Sequence, residues 1–478
     1  MKIIDEKIGT YFNEFKVERI VSEPSRNYYL FEFELSKRLS GQIKIFKSLE
    51  KNLPLYSALS FGNQVHFQNA HKTPIQRWFP YREGYSTKLV YSFLNELNIN
   101  GNVFDPFCGS GTTQLASRQK NLHSFGFDVN PISILVAEVE NESYTTENIK
   151  NIDLYIKEIK AISKPQKIFN TSFELANKVF NKDILQSLLF LKNVIDKIED
   201  LKVRKLFFVA WLAIIEKVSN VKKEGNGIKY KNRLRTPNGY INIDKEKWEN
   251  KAFPKNKFEY VKTVLVDHLN VIFDDIKHNY GTCKKLPKFF LGNCLKFTEF
   301  FKDEFQLTFY SPPYCNCFDY FEIHKVELWL GGFVKNKTEF RELRNSGFRS
   351  NTASLNHKNI EYRNKNIEKL ITLFNFEKLW SKKIPDVVRG YFDDTHKLLK
   401  KLFKYTTPNG YIGIVVGNSA YTGVIIPTDV IIADIAKEIG YKVKNIFITR
   451  HLTTSSQQKI ALNPLKEFLR ESIVLLQK

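Results

Sequence analysis

The feature that most constrains the fold of this chain is a turn between two short apolar runs. VFDPFCGSGTTQLAS (103–117) sets an acidic residue, a proline and two glycines between an apolar run and a helical pattern. SFGFDVNP (124–131) is a second apolar run that ends in an acidic residue. Strand, tight turn, helix and strand in this order predict a βαβ unit with parallel strands.

Strand patterns return only after a long interruption. Between residues 140 and 280 the periodicity is mostly helical, and short apolar runs then recur at 288–297, 306–314, 410–419 and 442–450. Residues 1–60 alternate apolar and polar side chains in YYLFEFEL and GQIKIF, which indicates a few strands. The sequence therefore predicts a doubly wound α/β domain that is interrupted by a helical insertion and preceded by a small N-terminal extension. The predicted divisions are 1–60, 61–139, 140–284 and 285–478.

The composition favours a polyanionic partner. Lys and Arg number 73 against 51 Asp and Glu, a formal net charge of +22, and nucleic acid is the leading candidate. A solvated basic surface without such a partner is the alternative. Within the insertion, VKKEGNGIKYKNRLRTPNGY predicts a basic loop. The candidate nucleic-acid contacts are Lys222, Lys223, Lys229, Lys231, Arg233 and Arg235, with Arg341, Arg344, Arg349, Lys358 and Arg363 as the alternative clamp.

Neither a membrane segment nor a metal site is indicated. The N-terminus, MKIIDEKIGT, lacks the apolar stretch of a secretory signal. The longest apolar run, residues 206–215, is far short of the roughly 20 residues that a spanning helix needs. The five cysteines have no paired CxxC spacing, which argues against a disulfide framework and a zinc site. We therefore expect a cytoplasmic protein with no membrane association and no metal.

The residue types of the glycine turn argue against two common ligands. A nucleotide-binding P-loop needs a Lys after its last glycine, but Thr112 follows Gly111. A dinucleotide turn prefers a third glycine where Gln114 stands, and Asp105 would repel a pyrophosphate. A cationic ligand fits better, and S-adenosylmethionine carries both an ammonium and a sulfonium group. Asp128, at the end of the next strand, is placed either to accept hydrogen bonds from two ribose hydroxyls or to cap a helix.

A second motif, SPPY, ends the apolar run that begins near residue 306. Consecutive prolines cannot continue a central strand, so Ser311 and the carbonyl groups of Pro312 and Pro313 are held at the edge of the sheet. Two fixed acceptors can orient an exocyclic amine towards a methyl donor, while Tyr314 can stack on the base that carries it. In isolation such a motif more often marks the end of a strand, but its pairing with the glycine turn favours chemistry on a base flipped out of its duplex.

DPFCGSGTT and SPPY, with GFDVNP between them, closely resemble the motifs of the amino-DNA methyltransferases over about residues 70–135 and 285–460. The resemblance implies a Rossmann-like S-adenosylmethionine-dependent methyltransferase fold with an inserted target-recognition region. It also implies that RWFPYREGYS (77–86) closes the cofactor pocket. The residues implied to bind the cofactor are Asp105, Phe107, Cys108, Gly109, Ser110, Gly111, Asp128 and Asn293, which stands where the family commonly has Asp. The residues implied to be catalytic are Ser311, Pro312, Pro313 and Tyr314.

The first residue of SPPY bears on the target base. Ser at this position is typical of cytosine-N4 enzymes, whereas Asp or Asn is typical of adenine-N6 enzymes. The resemblance therefore implies a bacterial cytosine-N4 methyltransferase that acts on double-stranded DNA, with a restriction endonuclease for the same site as a partner. Three alternatives remain open: an adenine-N6 DNA methyltransferase, an RNA guanine-N2 methyltransferase, and a nucleic-acid-binding protein that has lost catalysis.

Overall fold

The computed structural model describes residues 18–19, 37–65, 72–163, 168–225, 227–236, 239–279, 285–300, 302–355, 359–453 and 462–478. The strands in these ranges are β1 (Glu18–Arg19), β2 (Leu55–Ser57), β3 (Val103–Asp105), β4 (Ser124–Asp128), β5 (Val221–Glu224), β6 (Gly227–Tyr230), β7 (Arg233–Thr236), β8 (Gly239–Asn242), β9 (Lys288–Leu291), β10 (Phe305–Tyr310), β11 (Thr406–Gly417), β12 (Ser419–Tyr421), β13 (Val424–Ile426), β14 (Lys442–His451) and β15 (Arg470–Gln477).

The helices are α1 (Lys37–Glu50), α2 (Thr87–Glu96), α3 (Thr112–Gln119), α4 (Pro131–Asn141), α5 (Thr146–Ala161), α6 (Ala176–Val179), α7 (Lys182–Ile195), α8 (Leu201–Ile214), α9 (Lys245–Ala252), α10 (Lys257–Asn279), α11 (Tyr320–Ile323), α12 (Lys325–Leu330), α13 (Lys337–Asn345), α14 (Lys365–Ile371), α15 (Ile384–Tyr405) and α16 (Thr428–Ile439). Short 3₁₀ helices span Leu59–Phe61, Cys294–Glu299, Phe376–Lys378 and Asn463–Phe468.

One nine-stranded sheet organises the fold. Its order is β1-β2-β14-β15-β11-β10-β3-β4-β9. The strands from β11 to β9 are parallel neighbours, whereas β15 runs antiparallel between β11 and β14. From β3 the chain proceeds outward to β4 and β9, and from β10 it proceeds the other way to β11. The predicted α/β fold with a mostly parallel sheet is confirmed, and its switch point lies between β3 and β10, where open sheets of this kind bind ligands.

The helix before β3 begins where the sequence predicted. The Ser86 side chain caps α2 by accepting a hydrogen bond from Lys88 N at 3.2 Å. Leu89, Val90 and Phe93, at helical spacing, are buried in one cluster with apolar residues of β3 and β10. Because α2 packs against the sheet in this way, it positions the residues that lead into β3, the first strand of the βαβ unit.

The described part of the N-terminal extension is built into the sheet domain. β2 pairs in parallel with β14, and Leu55, Ile43 and Phe46 are buried in the same core cluster. The boundary drawn at residue 60 therefore does not separate this part from the domain. The strand predicted at GQIKIF is wrong, because these residues lie in α1: Ile43 and Phe46, three apart, face the core as they do on a helix. YYLFEFEL lies outside the described residues.

The segment from α5 to α10 is mainly helical, and its buried side chains belong to a core cluster that also includes residues of α4 and α12. Leu188 and Trp211 are buried between its helices, and Trp211 Nε1 donates to Leu188 O at 2.9 Å. The basic stretch predicted as a loop is instead two hairpins, β5–β6 and β7–β8. Gly225 (φ +60°) and Gly239 (φ +124°) adopt positive φ angles at the turns, which glycine adopts without strain.

Candidate active site

A cavity of about 380 Å³ lies at the carboxyl ends of β3, β4 and β10. Both motifs meet there because parallel strands end at the same edge of a sheet. Asp105 and Gly111 are not among the lining residues. The predicted site residues that do line it are Phe107, Cys108, Gly109, Ser110, Asp128, Asn293, Ser311, Pro312, Pro313 and Tyr314.

The glycine turn brings the backbone close to its neighbours. Gly109 and Gly111 have φ angles of +50° and +81°, in the left-handed region that favours glycine. A Cβ atom at Gly109 would lie 2.9 Å from the Tyr81 ring, and one at Gly111 would lie 2.7 Å from Asn141 Nδ2. Backbone angle and packing therefore both require glycine at these two positions.

Asp105 holds the turn from behind. Its side chain is buried, with Oδ1 accepting from Phe107 N and Oδ2 accepting from the Tyr85 hydroxyl, both at 2.9 Å. The predicted direct contact between Asp105 and a ligand in the cavity is therefore corrected: these two donors keep the carboxyl inside the core. Burial is also the main reason that the pKa of Asp105 rises from 3.8 to about 7.

The pKa of Asp105 leads to a prediction for stability. Because this carboxyl binds its proton more tightly in the folded chain than in the unfolded chain, its contribution to stability falls as pH rises from about 4 through 7. We expect Asp105 to lower the free energy of unfolding by about 2–3 kcal/mol between pH 5 and pH 8. Asp105→Asn should remove this component in chemical denaturation, whereas Asp267→Asn, at an exposed position of α10, should retain it. Parallel pH profiles for native and Asp105→Asn protein would contradict the assignment.

Asp128 reaches the cavity from the end of β4. Its Oδ2 accepts from Gly109 N at 3.0 Å and its Oδ1 accepts from Asn130 N at 2.8 Å. Each carboxylate oxygen retains a second lone pair, so the group can still accept hydrogen bonds from a ligand. Burial raises the pKa of Asp128 to about 6, against three backbone hydrogen bonds that lower it.

Asn293 lines the cavity with an amide group that is already engaged. Its Oδ1 caps the following 3₁₀ helix by accepting from Leu295 N at 2.8 Å, and its Nδ2 donates to Ser346 O at 2.8 Å. The side chain therefore shapes the cavity wall, and contact with a ligand would require the remaining lone pair of Oδ1 or the second amide proton.

SPPY follows β10 directly, and its tyrosine is held by two distant strands. The Tyr314 ring packs against Gly417, where a Cβ atom would lie 2.8 Å from it. Tyr314 Oη donates to Glu471 Oε1 at 2.6 Å, and Glu471 Oε2 lies 2.5 Å from Arg450 Nε. Burial and the neighbouring Glu471 carboxylate raise the pKa of Tyr314, so its hydroxyl remains a donor. Ser311 is partly exposed beside this ring.

Residues 81–85 form another wall of the cavity. Their segment is tied to the helical region at two points: Trp78 Nε1 donates to Asp275 Oδ2 at 3.0 Å, and Arg82 pairs with Glu216 at 2.9 Å. RWFPYREGYS, predicted to close the cofactor pocket, therefore lies against the same cavity as the two motifs.

Lys223 belongs to a buried cluster. Its Nζ lies 2.8 Å from Glu327 Oε1 and 3.2 Å from His324 Nδ1. Burial and the nearby Lys223 ammonium lower the pKa of His324, so this ring is neutral at neutral pH, and it stacks on Tyr81 with centroids 5.8 Å apart. The predicted nucleic-acid contact at Lys223 is corrected, since its side chain is only 4% exposed and joins β5 to α12.

The other predicted basic contacts differ in their availability. Lys222 and Lys229 are exposed and pair with Glu224 at 2.6 and 2.9 Å, contacts that water and salt weaken. Arg233 is exposed. Lys231 donates to two backbone carbonyl groups at 2.7 and 2.8 Å and is therefore occupied.

The alternative basic stretch loses two members to internal ion pairs. Arg344 pairs with Asp319 at 2.6 Å, and Arg349 is buried against Asp393 and Asp394. Internal contacts therefore hold two members of each basic stretch, Lys223 and Lys231 in the hairpins and Arg344 and Arg349 here. Arg341 and Arg363 are exposed, whereas Lys358 and the side chain of Arg235 lie outside the described residues.

Tyr81 and Tyr85 of the cavity wall belong to the predicted segment RWFPYREGYS, but sequence reasoning missed two other residues of the wall, Arg450 and Glu471. Glu471 carried a usable signal, because it is an acidic residue at the start of the apolar stretch SIVLL. A charge beside a buried strand needs a partner, and its partner here is Arg450 of the adjacent strand.

Within the described ranges, no cluster of three or more His, Cys, Asp or Glu side chains has the geometry to hold a metal ion. Among the helices of those same ranges, none combines the length and apolar character that crossing a membrane requires.

Comparison with known proteins agrees with this geometry. Residues 66–138, which contain the glycine turn and Asp128, match a family model for N6/N4 methyltransferases described as DNA methylase. Type II methyltransferase M.BsoBI of Geobacillus stearothermophilus is 28% identical over 92% of this chain and 93% of its own. M.AvaI of Nostoc sp. is 24% identical over 96% and 95%, and M.MvaI of Kocuria varians is 25% identical over 72% and 76%.

The matched model and these relatives support an amino-DNA methyltransferase family and a DNA methyltransferase of the N4/N6 type. Such a family implies S-adenosylmethionine as the methyl donor and DNA as the substrate.

Proposed function

We propose that this chain methylates the exocyclic N4 of cytosine at a specific site in double-stranded DNA. The observation that carries the proposal is that one cavity joins the glycine turn, Asp128 and SPPY. Methyl transfer needs the donor carbon and the accepting nitrogen within about 3–3.5 Å of each other in the reactive geometry. A cavity lined by both motifs offers that proximity, whereas separate pockets would not.

Three features of the cavity fit S-adenosylmethionine. Its volume of about 380 Å³ lies within the range of small-molecule pockets. Gly109 leaves the backbone accessible, and Asp128 can accept hydrogen bonds from ribose hydroxyls while attracting a cation. The Asp105 carboxylate, when ionised, attracts the same cation from behind the turn. When bound, S-adenosylmethionine supplies an electrophilic methyl group.

The SPPY residues supply the site for the target amine. We assign the Ser311 hydroxyl and the Pro312 carbonyl as acceptors of the two N–H bonds, which would direct the nitrogen lone pair towards the methyl group. Tyr314 would stack on the flipped base, and its bond to Glu471 fixes the ring before the base arrives. The rigidity of two consecutive prolines limits movement of these acceptors.

Cytosine is the proposed target because SPPY begins with serine. A neutral hydroxyl accepts one N–H bond and is a poor base, and serine at this position is typical of the N4 enzymes that SPPY resembles. An adenine-N6 target would leave the cofactor site and the direction of transfer unchanged. The two possibilities are separated by the chemical identity of the product.

The names of the relatives support a biological role for the chain, and the exposed basic residues support a target-recognition region. Three relatives that match most of this chain are named type II methyltransferases, which supports a role beside a restriction endonuclease of the same specificity. We assign target recognition to residues 140–284, whose hairpins carry the exposed Lys222, Lys229 and Arg233. Such cations would contact phosphates and position the duplex.

Transfer of label from methyl-labelled S-adenosylmethionine tests the proposed substrate class. We expect label in unmethylated genomic DNA and none in total tRNA, with native protein and Ser311→Ala compared at equal concentration. Label in tRNA alone would replace the DNA assignment with the RNA guanine-N2 alternative. Binding of S-adenosylmethionine without label in either nucleic acid would favour a protein that has lost catalysis.

A further inference from the structure

The hairpin β7–β8 carries apolar side chains that face water. Leu234, Tyr240 and Ile241 are 48%, 52% and 56% exposed. Leu234 pairs directly with Ile241 in the antiparallel register, so both lie on one face of the ribbon. A two-stranded ribbon is only marginally stable by itself in water. Leaving three apolar side chains exposed on strands of four residues is unfavourable, and such exposed apolar groups often mark a binding surface.

The opposite face of the ribbon has a different character. Arg233 pairs with Asn242 in the register, and its guanidinium carbon lies 4.3 Å from the centre of the Tyr240 ring. This stacking leaves an exposed cation on the face opposite Leu234 and Ile241. The ribbon is therefore apolar on one side and cationic on the other.

The base of the ribbon is fixed close to the cavity wall. Asn232, just before β7, donates its backbone N–H to Asn220 Oδ1 at 3.1 Å and its side-chain amide to Ile243 O at 2.8 Å. Lys223 lies three residues after Asn220, about 10 Å along an extended strand. Its carbonyl oxygen accepts from Arg82, which itself lines the cavity, at 2.5 Å.

From this arrangement we propose that the β7–β8 ribbon enters the major groove of the substrate DNA, with Leu234 and Ile241 against the base edges. The inference rests on the proposed function, because it requires a DNA substrate at the adjoining cavity. The major groove admits a two-stranded ribbon, and its floor offers apolar contacts such as thymine methyl groups. Arg233, on the other face, contacts a flanking phosphate, and Lys222 and Lys229 on the preceding hairpin are further exposed cations.

Substitutions on the two faces of the ribbon should weaken DNA binding in two different ways. Contacts to base edges discriminate between sequences, so Leu234→Ser combined with Ile241→Ser should weaken binding to the specific site about tenfold and leave non-specific binding almost unchanged. A phosphate contact carries no sequence information, so Arg233→Gln should weaken both complexes similarly and reduce the slope of log K against log salt by about 1.

The experiment uses the full chain and two short unmethylated duplexes. One carries a site located by sequencing the methylated positions of plasmid DNA from cells that produce the native protein, and the other carries the same bases scrambled. Dissociation constants are measured across a salt series. The matched control is Leu154→Ser with Leu201→Ser, an equally exposed apolar pair at 51% and 54%, and it should bind both duplexes as the native protein does.

The binding measurements on the two duplexes either support or overturn the placement of the ribbon in the major groove. Loss of discrimination in the ribbon pair, with native binding in the control pair and an unchanged melting temperature, supports the ribbon in the groove. If the ribbon pair of substitutions leaves the preference for the specific duplex at the native level, the proposal is overturned. It is also overturned if these substitutions change only the sedimentation coefficient, because the apolar face would then bind a second copy of the chain. Absence of DNA methylation by the native protein overturns the proposed function as well, which distinguishes the two failures.

Discussion

Ser311→Ala should reduce kcat about 100-fold while the dissociation constant for S-adenosylmethionine changes less than about twofold. The serine hydroxyl is assigned to orient the target amine, and displacement of a reacting group by about 1 Å can cost two orders of magnitude in rate. Its side chain is only partly exposed in the cavity, and its hydroxyl makes a side-chain hydrogen bond with Tyr314 of the same motif. Because this contact lies within the SPPY loop, the fold and the cofactor site should survive the substitution.

Single-turnover methyl transfer to a DNA duplex, together with calorimetric titration of S-adenosylmethionine, measures the two quantities separately. Ser311→Thr is the matched variant, because it keeps a hydroxyl on the same backbone and should recover part of the rate. A native kcat in Ser311→Ala would contradict the assigned role. A parallel loss of cofactor affinity would place Ser311 in the cofactor site instead.

Asp128→Ala should have the opposite signature, with a dissociation constant for S-adenosylmethionine raised about 10- to 100-fold. A hydrogen bond to a charged group contributes about 1.5–3 kcal/mol, which corresponds to that range. Asp128 lines the cavity, and its carboxylate also accepts from Gly109 N and Asn130 N, so its removal also loosens the turn. At saturating cofactor the chemical step should remain close to the native rate.

Asp128→Asn separates the two roles of this carboxylate. The amide retains one oxygen that can accept a backbone hydrogen bond, but it lacks the charge and one of the two acceptors. We expect an intermediate affinity for S-adenosylmethionine and a melting temperature nearer the native value. Native affinity in both Asp128 variants would show that the ribose lies elsewhere.

Local sequence patterns were sufficient to predict those parts of the fold that depend on residues close together in the chain. The cap at Ser86, the strand before SPPY and the order of β3, α3 and β4 all follow from periodicity and turn chemistry within a few residues. The meeting of the two motifs at one edge also follows, because parallel strands in an open sheet share their carboxyl ends.

Features that depend on distant contacts could not be predicted in the same way. Lys223 looked like its basic neighbours, but its partner Glu327 lies more than one hundred residues further along the chain. Tyr314 was assigned to stacking, whereas its fixation by Glu471 depends on β15, a strand that the sequence reasoning did not identify. Asp105 was expected to face the ligand, and only the positions of Tyr85 and Phe107 turn it inward.

The most direct test of the central claim is the identity of the methylated nucleoside. Unmethylated genomic DNA would be incubated with the native chain and S-adenosylmethionine, digested to nucleosides and analysed by mass spectrometry, with Ser311→Ala as the control. The account predicts N4-methylcytosine that is abundant with the native protein and strongly reduced with Ser311→Ala. N6-methyladenine in place of N4-methylcytosine would contradict the proposed target base and the meaning given to Ser311.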